Sequence, residues 1–285
     1  MRLPTLVLLV VLAVVAGVGV ATWRGSGPLP DPEGCTAELD GLRVDLSPEQ
    51  ARNATLIAAV GVRRGLPARA VSIALATAYQ ESKIVNIDYG DRDSLGLFQQ
   101  RPSQGWGTAE QVQDEYYAIN AFYDALEKID DYQGMRITEA AQRVQRSGFP
   151  EAYEDHAADA RALASVLTGY SGGGRFSCVV REPAEPGRAQ QVVRTLEQAF
   201  GDLDTSVGPR RDVMVRVDGG EGGARRGWAV AQFAVAHASD LRPVAVEHAG
   251  RTWRTGTDSE EGWTRPGDGD DGDVAGRDSV VLRLG

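Results

Sequence analysis

The stretch Ala74 to Gly107, ALATAYQESKIVNIDYGDRDSLGLFQQRPSQGWG, decides how the chain is read. Its first part continues a helix that Pro67 opens and that runs to about Lys83. At 3.6 residues per turn, Glu81 lies within about 60° of Ala70, Ala74, Thr77 and Ala78. The carboxyl group therefore falls on a small-residue face at the helix C-terminus. Burial disfavours its charged form, and so does the negative end of the helix dipole. A carboxyl that keeps its proton near neutral pH can serve as the general acid of glycosidic cleavage. The plainer reading is a glutamate at a fraying helix end, paired with Lys83 or Arg92.

Working outward, Ser47-Pro48-Glu49-Gln50 supplies an N-cap, a proline at the first helical position and a capping-box glutamine. Further helices are expected over about 108–129, 138–145, 154–167, 188–200 and 228–239, and strands over 213–217, 243–248, 250–254 and 279–284. Residues 41–170 then form a mostly α domain, 171–205 a linker with one helix, and 206–285 a small α/β accessory domain. Ahead of them, 25–40 (beginning GSGPLPDPEG at Gly25) reads as a tether. Leu3 to Trp23 is uncharged and almost wholly apolar, long enough to cross a hydrocarbon core of about 30 Å. Residues 1–24 are read as a single transmembrane helix that makes the membrane a partner. A cleaved signal peptide ending near Gly19-Val20-Ala21 is the other reading, and either one exports the rest of the chain. The expected fold class is thus multi-domain.

Glu81-Ser82 followed by Gly96-Leu97-Phe98-Gln99 resembles the Glu-Ser … Gly-Leu-x-Gln signature of the soluble lytic transglycosylase and goose-type lysozyme superfamily. The resemblance covers about Leu42 to Tyr170 and implies a lysozyme-like domain acting on peptidoglycan glycan strands. It implies Glu81 as acid/base, with Gly96, Leu97, Gln99 and the adjoining Gln100 lining the cleft. Ser82 either orients Glu81 or supports the fold. Asn120-Ala121-Phe122-Tyr123 is similar to the family's next helix, which adds Tyr123 to the candidate substrate contacts. One block departs from the family. Where an Ala-Tyr-Asn-Ala-Gly segment is expected, residues 140–145 read AAQRVQ, leaving Tyr153 or Tyr170 to take the place of the missing tyrosine. That departure keeps a second reading open, a catalytically weak wall-binding or scaffold protein.

Classical hydrolases pair two carboxyl groups, about 5–5.5 Å apart for retention and about 6.5–9.5 Å for inversion. Asp93, and then Asp91, are the candidate partners, set in a loop that also reads as a plain solvated turn. The single-glutamate chemistry of lytic transglycosylases, in which the sugar's own C6 hydroxyl closes an anhydro ring, is the favoured expectation. Trp106 could stack on a sugar ring or cap the core.

The formal net charge of −10 argues against a nucleic-acid partner, which needs clustered positive charge. Cys35 and Cys178 are the only cysteines, and export would make them a disulfide rather than two free thiols. His156, His237 and His248 are scattered, so no metal site is expected, nor any cofactor. Asp268 to Asp273 is read as an acidic loop rather than a calcium site, because position twelve is Ser279. No residue pattern specifies an oligomeric state.

Overall fold

Two short runs of alternating residues, β1 (Gly34–Leu39) and β2 (Leu42–Leu46), meet at Asp40-Gly41. Both turn residues have positive φ (51° and 84°), the pairing that a two-residue hairpin with right-twisted strands requires. The computed structural model describes residues 32–265 and 274–285. After the hairpin comes α1 (Pro48–Arg63), closed at its start by the Ser47–Gln50 capping box, and then α2 (Ala68–Ser82). The long periodic stretch that follows is two helices, α3 (Ala109–Gln113) and α4 (Glu115–Leu126). Asp114 separates them, in extended conformation, and its carboxylate accepts from the Tyr117 N–H to start the second. Next come α5 (Ile137–Gln145), a 3₁₀ turn (Ala152–His156) and α6 (Ala157–Leu167), whose Ala160, Leu163, Ala164 and Leu167 are buried. Small residues on α2 and α6 let these two helices pack closely, and they form the most extensive helix pair.

Strand β3 (Phe176–Val179) returns to pair antiparallel with β1, giving the order β2-β1-β3. The remainder comprises α7 (Ala189–Phe200), β4 (Asp204–Val207), β5 (Val213–Arg216), α8 (Gly220–Ala236), α9 (Ala238–Leu241), β6 (Ala245–His248), β7 (Arg251–Arg254) and β8 (Ser279–Arg283). Its five strands form a second antiparallel sheet, ordered β4-β5-β8-β6-β7.

Helix α8 is buried almost all round from Gly227 to Ala236. It packs against β6 and β8 on one side and against α1 and α6 on the other. Trp228 fills the space over Gly173, where an added Cβ would lie 1.7 Å from the indole. Trp253 and Trp263 donate their indole N–H groups to the carbonyls of Cys178 (3.2 Å) and Phe176 (2.8 Å), tying the second sheet to β3.

These contacts correct the expected fold class. The described residues carry two antiparallel sheets, the first joining β1 from the expected tether, β2 from the start of the expected α domain and β3 from the expected linker, and Gly34–Gly285 forms one compact unit around a continuous core. Among the described residues no helix is long and apolar enough to cross a membrane. The apolar stretch Leu3–Trp23, and the acidic segment Asp268–Asp273, lie outside the described residues.

Candidate active site

Glu81 occupies the last turn of α2 and is half-buried. The Tyr153 hydroxyl donates to its Oε1 at 2.7 Å, and the Gln145 side chain also hydrogen-bonds to the carboxyl. Tyr153 comes from the 3₁₀ turn before α6 and is fully buried, so its hydroxyl is fixed by packing. Gln145 ends α5 and donates through Nε2 to the Phe98 carbonyl (2.7 Å), linking the acid's surroundings to the Gly96–Gln99 loop. Burial raises the Glu81 pKa above its ordinary value, outweighing the two hydrogen bonds that favour the carboxylate. Tyr153 is raised as well, by burial and by the neighbouring Glu81 charge. Neither Lys83 nor Arg92 pairs with Glu81 among the described residues; Arg92 lies instead 4.0 Å from Asp91.

Ser82 fastens the helix end to the loop in front of it. Its hydroxyl contacts the carbonyls of Ala78 (3.0 Å) and Leu97 (2.8 Å), a supporting role. Gly96 has a positive φ of 79°, and a Cβ there would meet the Val112 carbonyl oxygen at 2.3 Å, so only glycine fits this turn. Gln99 is partly exposed, also at positive φ, and its Nε2 donates to the Tyr89 carbonyl (3.1 Å). Gly90 lies directly behind it, since a Cβ there would overlap Gln99 Oε1.

Several expected substrate contacts are core residues instead. Leu97 is fully buried, as is Phe98, which stacks on Phe122. Gln100 is buried and donates to the Ala118 carbonyl. Tyr123 is fully buried and donates to the Ile57 carbonyl at 2.9 Å. With no surface to offer, Leu97, Gln100 and Tyr123 are corrected to structural roles. Trp106 is half-buried and packs against the core.

No family model and no curated protein matches the chain.

The two aspartates are placed differently from one another. Asp91 is exposed. Asp93 accepts from Arg101 Nε (2.9 Å), the Ser103 N–H (2.7 Å) and the Ser103 hydroxyl (2.9 Å). These donors hold its pKa far below the usual carboxylate range, which makes it a poor base and a good staple for the loop. Tyr170 is drawn away to α8, where the Arg225 guanidinium sits 4.1 Å over its ring. The histidines are packed singly: His156 stacks on Tyr79, His237 on Phe233, and His248 meets Trp228 edge-on. Burial lowers His237 to about 4.

Gln145 is the site residue the sequence reading missed. It lies within the 140–145 segment that departs from the family pattern, on a helix whose apolar spacing gave no reason to single it out. The signal available was positional, a polar side chain at the end of a helix directed at the same turn as Glu81.

Proposed function

We propose that the chain cleaves the glycan strands of peptidoglycan outside the cytoplasm, with Glu81 as the acid. The observation that carries this reading is the Glu81 carboxyl itself, half-buried, raised in pKa and oriented through Oε1 by the Tyr153 hydroxyl. The resemblance of Glu81-Ser82 and Gly96–Gln99 to the lytic transglycosylase signature supports the substrate class. In the reaction the protonated Glu81 gives its proton to the glycosidic oxygen as the C1–O bond breaks. The resulting carboxylate then takes a proton from the nucleophile that closes on C1. Both Asp93 oxygens are engaged by Arg101 and Ser103, which favours single-glutamate chemistry in which the sugar's C6 hydroxyl is that nucleophile.

The Cys35–Cys178 disulfide fits an oxidising compartment. The test is digestion of purified sacculi followed by mass spectrometry. Anhydro ends are expected, and Glu81→Gln should slow their release about 10²–10⁴-fold. Binding to sacculi with no cleavage by the unaltered protein would replace the enzyme with a wall-binding protein.

A further inference from the structure

The outer face of the five-stranded sheet, opposite α8, carries side chains from alternate strand positions. Met214, Val281, Glu247 and Thr252 lie in one cross-strand row, and Arg283, Ala245 and Arg254 lie in the next. This face lines a cavity of about 900 Å³, within the range of small-molecule sites. Four arginines and two acids border it. Arg283 is already neutralised, contacting Glu247 (2.8 Å) and Asp212 (2.8 Å). The other three, Arg210, Arg254 and Arg265, are exposed and have no ion-pair partner among the described residues.

These three arginines come from different places: the β4–β5 turn, strand β7, and the segment that bridges Thr264 to Thr252. Their convergence on one cavity is a tertiary arrangement, not a run of sequence. The charged side chains of the lining sum to +2 in a chain of net −10. Guanidinium groups without partners present paired N–H donors suited to planar or tetrahedral oxyanions. Part of the floor is apolar, with Met214 over a third exposed.

We infer that this cavity binds a small anion carrying two or more phosphate or carboxylate groups, independently of Glu81. The test is isothermal titration of the full-length protein with inorganic pyrophosphate and, separately, with citrate. Saturable binding of at least one probe is expected, weakening as salt is added. Combining Arg210→Gln, Arg254→Gln and Arg265→Gln should weaken it by about tenfold or more, while Glu81→Gln leaves it unchanged. Preference for pyrophosphate would assign a phosphate ligand and preference for citrate a carboxylate ligand. The inference is overturned if neither probe binds saturably, or if the combined variant binds as tightly as the unaltered protein.

Discussion

Glu81 holds a proton more tightly than an ordinary glutamate because two effects of unequal size meet on one carboxyl group. Burial raises its pKa, and hydrogen bonds from Tyr153 and Gln145 pull it back without cancelling the rise. This has a consequence for stability that does not depend on activity. Below the ordinary glutamate value of 4.5, folded and unfolded chains both carry the proton, and the stabilising contribution is fully present. As pH rises from there through the higher native value, the unfolded chain has released its proton while the native one still holds it, so stability is lost. Glu81→Gln has no proton to release. The unaltered protein should therefore lose ground relative to Glu81→Gln as pH is raised from about 4 to about 8, read as the difference between their urea midpoints. In a Tyr153→Phe background the loss should extend to higher pH, because a donor that favours the carboxylate is gone. A pH-independent difference would mean that Glu81 titrates as it does in water.

The element that presents Glu81 ends in an uncommon way. Lys83 and Ile84 both take left-handed conformations, with φ of 58° and 59°, and Ile84 is fully buried. A β-branched residue in this region costs on the order of 1–3 kcal/mol and persists only where its surroundings enforce it. The enforcement comes from α1, where Gln50 Nε2 donates to the Lys83 carbonyl (2.8 Å) and Asn53 Nδ2 to the Ile84 carbonyl (2.9 Å). Asn53→Ala removes the donor to a buried carbonyl and should destabilise the protein by about 1–3 kcal/mol in chemical denaturation. It should also slow glycan cleavage, because the turn that fixes Glu81 loosens. A loss of only a few tenths of a kcal/mol would show that the turn holds itself. The start of α1 was legible in the sequence because capping chemistry is local. This turn was not, since nothing local marks isoleucine for positive φ. The β1–β2 hairpin was legible in principle, through Asp40-Gly41 between alternating runs, but the proline-rich residues before it drew its first strand into a linker and left the second in the expected α domain. The break at Asp114 was hidden by a periodicity that continues across it.

At the scale of the molecule, the sequence showed most of the helices and strands near the C-terminus, though not β4 or the first turns of α8, and not what they pack against. Helix α8 is buried almost all round from Gly227 to Ala236 because it has two partners, the second sheet and the α1–α6 layer, and periodicity cannot distinguish two partners from one. The pairing of Trp228 with Gly173 spans more than fifty residues, and the Trp253 and Trp263 contacts to β3 span more still. A core shared in this way should unfold as a unit. The disulfide strengthens that expectation, since Cys35 and Cys178 face each other across the β1–β3 pair and close a sequence separation of 143 residues. Chain entropy gives a closure of this length roughly 5 kcal/mol of stability. Scanning calorimetry of the oxidised protein should therefore show one transition covering both sheets, and reduction should move that whole transition to lower temperature. Strand β3 couples the effect to the second sheet, because the indole of Trp253 donates to the carbonyl of Cys178 itself. Two separate transitions, with only the first shifting on reduction, would mean that the five-stranded sheet and its helix fold independently of the site that holds Glu81.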